Sequence, residues 1–415
     1  MIKNIIALSF KNLKRHTKRT VITSIAIGVG IAMLIWVDGI LKWADDESKR
    51  NLIGYENGNF LVCTKEFKED RKNLPVDTVI SKEDVKKLLR IAKETSCFAS
   101  PRTGFRSMVS FNRSFGMPYI VYAITPSLDS KVFKIKDSIV EGEYLRDDSD
   151  GILISSYCKR ELEVGLGDYL TVETRTRYNT YQVLNLKVVG IYETPDPVVD
   201  RNQLFVSSKL ADKDLQTEGT ATMVVFKTPT EKNMPYLNQV KNLLKKYKLS
   251  YLTTITWQEM GADYLTLSKT KKGGSGIIIL FIFVIVAVGI VNTMLMAVFE
   301  RMKEIGMLRA LGMRDKYVLW SFIFESAGIG ILGSIIGLIL GIILNAYTVY
   351  IGIDFSSAMK DMNIGYRVGT IWYSEWNPKM MIMAVIFGVM ISMLVSIIPA
   401  RKAIKMEITD TLRVE

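Results

Sequence analysis

The amino-acid sequence predicts a four-helix transmembrane α domain with a large extracytoplasmic α+β domain inserted between transmembrane helices 1 and 2. First, the apolar residues, 48% of the 415 positions, are concentrated in four blocks that are almost free of charge. Each block reaches the roughly 20 residues that a helix needs to cross a bilayer. Second, the long segment 44–272 separates the first block from the others and has the pattern of a folded domain. Third, basic residues flank the blocks on one side.

The four apolar blocks give the transmembrane helices in chain order. The predicted bounds are 20–43 (with a short stalk), 273–299, 319–350 and 379–402. The first block contains Asp38, and the third contains Glu325. The basic stretch before the first block is also typical of a signal peptide, but the apolar run is too long and no small-residue cleavage site follows Trp36. We therefore predict an uncleaved span.

The basic residues predict the orientation of the helices, because cytoplasmic loops retain Lys and Arg. They lie before helix 1, in the 300–318 loop and after helix 4: Lys3, Lys11, Lys14, Arg15, Lys18, Arg19, Arg301, Lys303, Arg309, Arg314, Lys316, Arg401, Lys402 and Lys405. We therefore predict cytoplasmic termini, with an amphipathic helix at 1–19 that lies on the membrane or extends helix 1, and a tail at 403–415. This placement accounts for the net charge of +12 without a nucleic-acid partner.

The segment 44–272 alternates strand-like runs with turn residues. The predicted strands are Phe60–Thr64, Tyr119–Ile124, Ile152–Ser155, Tyr169–Glu173, Leu186–Tyr192, Leu204–Ser207 and Thr222–Phe226. Helices are expected after the cap Ser81 and at Met234–Tyr247. Three cysteines, Cys63, Cys97 and Cys158, are too few for a complete disulfide framework and are expected to be small buried residues. The short loop 351–378 is predicted to be extracytoplasmic, with interfacial aromatic residues.

The sequence supplies little for catalysis. The single histidine, His16, excludes a histidine-based triad or a His-rich metal site in the outer domain. No Gly-x4-Gly-Lys-Ser/Thr phosphate loop is present. We therefore predict that the chain is not an enzyme, holds no metal or cofactor of its own, and depends on another subunit for any ATP hydrolysis.

The segment that follows helix 2 is the most informative one. It runs from Asn292 to Met313 as NTMLMAVFERMKEIGMLRALGM and ends as a short amphipathic helix within 300–318. By composition alone, an interfacial helix between two spans and a functional contact are about equally supported.

This segment closely resembles the coupling segment of the MacB/LolC/LolE/FtsX superfamily of ABC transporter permeases, which reads ER-x-x-EIG-x-LRALG. The ending Pro399–Ala403 followed by Asp410–Arg413, the Glu325 position with its glycine run, and the outer-domain stretches Glu141–Leu145 and Gly151–Val172 are similar to the same family. The resemblance extends over nearly the whole chain and implies a MacB-like periplasmic core.

The resemblance also implies partners. Two ABC ATPase subunits, which bind ATP and Mg, are expected below a pair of permeases in a bacterial inner membrane; the second permease is either the same chain or a paralogue. The implied ATPase-coupling residues are Glu300, Arg301, Glu304, Ile305, Gly306, Leu308, Arg309, Leu311 and Gly312.

The residues of the motif are most similar to those of the lipoprotein-releasing LolC/LolE group. This implies lipoprotein cargo taken from the outer leaflet, with a cavity lined by helices 1 and 2 at Ile27, Ile31, Leu34, Ile278, Phe281, Ile285 and Val288. A carrier-contact hairpin is expected at Arg175, Arg177, Tyr178 and Tyr181, but it is short for a recruiting hook, and an ordinary hairpin is favoured. A MacB-type peptide or drug exporter and an FtsX-like regulator of cell-wall hydrolases are the alternatives.

Overall fold

In the computed structural model, the described residues are 15, 17–112, 115–230, 233–356 and 367–405, without the side chains at 19, 272, 275, 278, 279, 282 and 286. The predicted helix at 1–19 and the tail at 403–415 therefore lie mostly outside the described residues. The chain divides into two compact units, and each is described by itself. The helical unit comprises Met1–Asp45, Ser268–Ala358 and Ile371–Glu415, and the α+β unit comprises Asp46–Leu267 and Met359–Thr370.

The helices are α1 (Thr17–Asn51), α2 (Lys65–Glu69), α3 (Lys82–Glu94), α4 (Pro126–Val132), α5 (Ser156–Leu162), α6 (Pro197–Asn202), α7 (Ser208–Asp214), α8 (Met234–Lys246), α9 (Trp257–Met260), α10 (Ala262–Glu300), α11 (Met302–Ala310), α12 (Asp315–Tyr350) and α13 (Pro378–Lys405). The strands are β1 (Phe60–Thr64), β2 (Phe98–Ser110), β3 (Met117–Ile124), β4 (Ile139–Gly142), β5 (Ile152–Ser155), β6 (Tyr169–Arg175), β7 (Tyr181–Tyr192), β8 (Gln203–Ser207), β9 (Met223–Lys227), β10 (Leu252–Thr256), β11 (Ile353–Asp354) and β12 (Ile371–Trp372). A π-helical turn follows α1 at Leu52–Asn57.

Four helices of the described chain are long and apolar enough to cross a membrane. They are Thr20–Asn57, Phe283–Glu300, Asp315–Tyr350 and Pro378–Lys405. Each of the four predicted blocks overlaps one of them, so the prediction of four apolar helices is confirmed.

Small residues let the helices of the helical unit approach closely. A Cβ added to Gly337 on α12 would lie 2.6 Å from the backbone oxygen of Gly28 on α1. A Cβ added to Gly388 on α13 would lie 2.4 Å from the Cδ1 of Ile31. In a membrane, close packing of this kind replaces the hydrophobic effect as a source of helix association. The glycines therefore hold α1 against both α12 and α13.

The charge in the first apolar block has a partner. Asp38 on α1 accepts a hydrogen bond of 2.8 Å from the side-chain amide of Asn377, which immediately precedes α13. The indole nitrogen of Trp36 donates to the hydroxyl of Thr348 on α12 at 2.7 Å. Both bonds satisfy polar groups that would be costly if left unpaired in an apolar environment. Asp38 is therefore compatible with a membrane span.

The connection between α12 and α13 is divided between the two units. Its ends pair as the short strands β11 and β12, and Trp43 of α1 contacts Tyr373 at a ring-centroid distance of 5.6 Å. Residues 359–370 belong to the α+β unit, of which 367–370 are described. The short extracytoplasmic loop at 351–378 stays a prediction.

The α+β unit is built on one sheet with strand order β10-β1-β9-β2-β3-β8-β5-β7-β4, in which β6 pairs with both β2 and β7. Because β6 links β7 back to β2, the strands β2, β3, β8, β5, β7 and β6 form a closed ring. Its interior is filled by a cluster that includes Phe105, Val121 and Val206. The strands β9, β1 and β10 extend the sheet antiparallel from β2, and α3 and α8 cover one face of this extension.

The predicted strands of this unit are all observed, and so is the helix cap at Ser81, whose side chain accepts a hydrogen bond from the backbone nitrogen of Asp84. The three cysteines are buried and free, as expected. The sequence did not predict β2, β4 or β10. In β2, Pro101 and the buried Arg102 interrupt the alternation, and Arg102 is neutralised by Asp129 at 2.8 Å.

Candidate ATPase-coupling site

The segment Glu300–Gly312 forms a short helix between two long ones. Helix α10 ends at Glu300, and Arg301 leaves the helical conformation with φ −111° and ψ 18°. Helix α11 then ends in a turn at Gly312, which has φ +92° and donates its backbone N–H to the carbonyl of Arg309 at 3.0 Å. A side chain at this φ would be strained. The glycine therefore ends α11 before α12 begins at Asp315.

One side of the segment is fixed by a buried ion pair. The Nη1 of Arg301 donates to Oε2 of Glu325 on α12 at 3.0 Å, and their side chains are only 7% and 5% exposed. Within the described part of the chain, Nε and Nη2 of Arg301 have no hydrogen-bond partner. Ile305 and Gly306 of α11 are also buried. We expected Arg301 on a docking surface, but the structure places it in the interior.

The segment also exposes apolar side chains, beside the exposed Lys303 and Glu304. Leu311 is 79% exposed, and Met307 and Leu308 are also exposed. Two of the charges near this patch are locally paired: Glu304 accepts from Arg15 at 2.8 Å, and Arg309 donates to Asp315 at 3.1 Å. We call Met307, Leu308 and Leu311 the α11 patch. Sequence reasoning missed Met307.

The residues that were expected to line a cargo cavity fall into two separate sets. Ile27, Ile31 and Leu34 are buried in the packed helices. By contrast, the side chains of Phe281, Ile285 and Val288 on α10 are exposed, and that of Ile278 lies outside the described residues. The void next to the first set is only about 10 Å³. The glycines of α12 and α13 bring those helices onto this face of α1, so among the described side chains the first set lies inside the helix packing and the second on its surface.

The Arg175–Asn185 region is an ordinary hairpin, as favoured from the sequence. Strands β6 and β7 pair up to Arg175 and Tyr181, and the turn between them contains Asn179 at φ 63°. Arg175 donates to the side chain of Asn179 at 2.8 Å, and Tyr178 and Tyr181 are exposed. The Nη1 of Arg177 lies 3.7 Å from Oε2 of Glu218. These residues share one end of the sheet, without an arm that projects from it.

The α+β unit contains a buried charge cluster that sequence reasoning missed. The Nη1 of Arg367 donates to Oδ2 of Asp196 at 3.0 Å and to Glu56. The backbone carbonyl oxygen of Arg367 accepts a hydrogen bond of 2.7 Å from the side-chain amide of Asn51. These partners lie 171, 311 and 316 positions away, a separation at which local patterns carry no signal. Burial raises the pKa of Asp196, and the guanidinium of Arg367 opposes that shift.

Asp200 is a second perturbed carboxyl in this cluster. Burial raises its pKa to about 7, although hydrogen bonds from the backbone N–H and the hydroxyl of Thr194 lower it. Desolvation disfavours the charged form, and here it outweighs the hydrogen bonds.

Comparison with known proteins gives the class first. Residues 276–408 match the FtsX-like permease C-terminal family, and residues 20–239 match the MacB-like periplasmic core domain. The molecule is an ABC transporter permease of the MacB/FtsX type and a membrane protein. Because the second match covers more than half of the chain, the chain belongs to the MacB-like periplasmic core domain family.

Individual relatives agree with this class. An uncharacterized ABC transporter permease of Methanocaldococcus jannaschii is 25% identical over 430 residues, which cover 100% of this chain and 98% of that protein. The ABC transporter permease YtrF of Bacillus subtilis is 31% identical over 61% of this chain and 57% of its own length. The macrolide export ATP-binding/permease protein MacB of Chlorobaculum tepidum is 33% identical over 31% of this chain and 17% of its own length.

Among solved structures, the extracellular domain of the noncanonic ABC-type transporter YknZ from Gram-positive bacteria is similar to this chain. It has a TM-score of 0.34 and 12% identity, and the match covers 48% of this chain and 100% of that domain.

Proposed function

We propose that this chain is the permease subunit through which a separate ABC ATPase drives movement of the α+β unit, without carrying cargo through a pore. In this proposal two ATPase copies contact two permeases, both chain termini are cytoplasmic, and the α+β unit faces outward. The ATP and Mg belong to the ATPase. The α11 patch is the contact surface.

The observation that supports this proposal is the exposure of apolar side chains in the segment Glu300–Gly312. Arg301, just before α11, is buried, whereas Leu311, just after it, is 79% exposed. An exposed apolar patch next to paired charges is typical of a protein–protein contact. The ion pair between Arg301 and Glu325 fixes one side of α11 to α12, so a displacement of the patch is transmitted to a membrane helix.

We test the docking surface with Leu308→Asp/Leu311→Asp in the chain coexpressed with its ABC ATPase. A carboxylate in a desolvated apolar contact costs several kcal/mol, so we expect copurification and stimulated ATP hydrolysis to fall at least tenfold. Phe115→Asp, at a residue that is 98% exposed in the β2–β3 connection, is the matched control and should change neither. Full stimulated hydrolysis in the double variant would reject the α11 patch as the contact.

For the cargo, we propose release of lipoproteins from the outer leaflet, which follows from the motif's similarity to the LolC/LolE group. Each buried CH₂ of an acyl anchor contributes about 0.8 kcal/mol to membrane binding, so extraction of a multiply acylated protein requires ATP. Transfer to a soluble carrier is part of this proposal. The exposed α10 face with Phe281, Ile285 and Val288 is a candidate surface for lipid or the second permease.

A second candidate is export of peptides or drugs, which the identity with MacB proteins favours to the same degree. Depletion of the chain followed by membrane fractionation separates the two candidates. Lipoproteins retained in the inner membrane support the first candidate. Normal lipoprotein sorting together with increased drug sensitivity supports the second and rejects the first. If both traits are normal but septation or wall hydrolysis is defective, an FtsX-like regulatory role replaces both.

A further inference from the structure

A cavity of about 490 Å³ lies within the α+β unit, on the sheet face opposite the one that α3 and α8 cover. It is bordered by the π-helical turn Leu52–Asn57, by the segment from Phe67 to Leu74 and by the residues around Met260. Its volume falls within the range of about 300–1,000 Å³ that is usual for small-molecule sites. It is separate in sequence from the α11 patch and from the predicted transmembrane cavity.

The floor of this cavity is apolar. Leu61 of β1 and Val225 of β9 are paired neighbours in the sheet, and Met223 lies two residues before Val225 on the same face. All three are buried. Strand alternation sends their neighbours Phe60 and Val62 to the opposite core. Phe67 forms a side wall. The three floor residues are therefore aliphatic and thioether side chains, and Arg102 of β2, which pairs with Met223, borders this strip.

The rim of the cavity has a net positive charge. Three of its charges are already compensated, because Arg102 is paired with Asp129, and Glu56 and Arg367 are paired with each other. The remaining charges are Arg71 and Lys72 on one border and Asp263 on another.

Arg71 and Lys72 are held in place by the backbone. The guanidinium of Arg71 donates to the carbonyl of Met260 at 3.2 Å, and that of Arg106 donates to the carbonyls of Lys72 and Asn73. In the part of the chain that the structure describes, neither Arg71 nor Lys72 is paired with a carboxylate. The short turn therefore presents two adjacent cations whose charge is not neutralised.

We propose that this cavity binds a single-chain amphiphile with a compact anionic head. The chain lies on the Leu61–Met223–Val225 floor, where burial of each CH₂ is favourable, and the head lies against Arg71 and Lys72. A fatty-acid carboxylate and a lysolipid phosphate share this chemistry. A zwitterionic two-chain phospholipid would exceed the cavity and lack the net charge.

The test uses the full chain in nanodiscs without nucleotide and photoactivatable C16 probes: palmitate, its methyl ester, and lysophosphatidate. Labelled peptides are mapped by mass spectrometry, and labelling of β1 and β9 is divided by labelling of α12 and α13, which reports general contact with lipid. We expect the two anionic probes, or one of them, to label the strands at least tenfold more than the ester. The probe that labels identifies the head group.

Two variants address the two parts of the site. Arg71→Gln/Lys72→Gln should lower the strand labelling at least tenfold, whereas Lys245→Gln/Lys246→Gln, two lysines on α8, should not change it. Met223→Trp fills the cavity and should abolish labelling; size-exclusion profile and unfolding temperature report its folding. Equal labelling by acid and ester, labelling that is confined to α12 and α13, or full labelling of the Arg71/Lys72 variant would each overturn the proposal.

Discussion

The buried pair of Arg301 and Glu325 allows a quantitative test of how α11 is fixed to α12. Loss of either partner leaves a buried charge uncompensated, which costs about 3–5 kcal/mol. Because Nε and Nη2 of Arg301 have no partner among the described residues, the native pair compensates the arginine only in part. We therefore expect the lower end, about 3 kcal/mol, for Arg301→Gln and for Glu325→Gln. The double variant removes both charges. Its loss of stability should therefore be smaller than the sum of the two single-variant losses by about 2 kcal/mol.

The assay is a double-mutant cycle on unfolding in mixed micelles with increasing SDS, with helicity as the readout. Arg309→Gln/Asp315→Gln is the control pair, since its carboxylate is 55% exposed and an exposed pair contributes at most about 1 kcal/mol. If the stability losses of the two single variants add up to the loss of the double variant, the ion pair does not fix α11. A destabilised single variant with normal ATPase stimulation would separate the structural role of the pair from transmission.

The other predictions concern pH, helix packing and the cysteines. The raised pKa of Asp200, about 7, means that the folded chain holds a proton that the unfolded chain releases near pH 4. Stability should therefore fall by about 4 kcal/mol as the pH rises from about 4 to 8, and Asp200→Asn should remove most of this slope in unfolding temperature measured across that range. Gly337→Leu would place a Cβ 2.6 Å from the backbone of Gly28 and should destabilise the helical unit by about 1–3 kcal/mol or more in the same SDS assay. The control is Gly289→Leu, whose Cβ would have no described atom within 4 Å and which should be neutral. The native cysteines are buried and should resist maleimide in the folded chain, whereas Leu311→Cys should react rapidly, and only from the cytoplasmic side if the proposed orientation holds.

The four long helices could be predicted because a membrane span depends on local composition, which a sequence displays directly. The strands β1, β5 and β8 were predicted for a similar reason, since each is a short apolar run bounded by turn residues. The strand β2 was not, because its pattern is broken by Arg102. That arginine is acceptable inside the unit only because Asp129, 27 positions away, is brought against it by the fold.

The same limit explains the partial success at the α11 segment. A sequence does not show which residues surround a helix. The charged residues Arg301, Glu304 and Arg309 therefore indicated a charged surface. Glu325 was noted in the third apolar block, but its position 24 residues from Arg301 gave no indication that the two side chains meet. Once they do, the charge moves to the interior together with Ile305, whereas Leu308 and Leu311 lie on the surface.

This division bears on how a partner would be recognised. A segment that lies on a membrane or in water normally turns its charges outward and its apolar residues inward, whereas Glu300–Gly312 buries Arg301 and exposes Leu311. Desolvating an arginine is unfavourable unless its counter-charge is fixed, and exposing a leucine is unfavourable unless another surface covers it. Both costs decrease together if the buried pair orients α11 and a partner covers the patch. The two features therefore support a single function for the segment, and a variant that loses the pair should also lose the affinity of the patch for its partner.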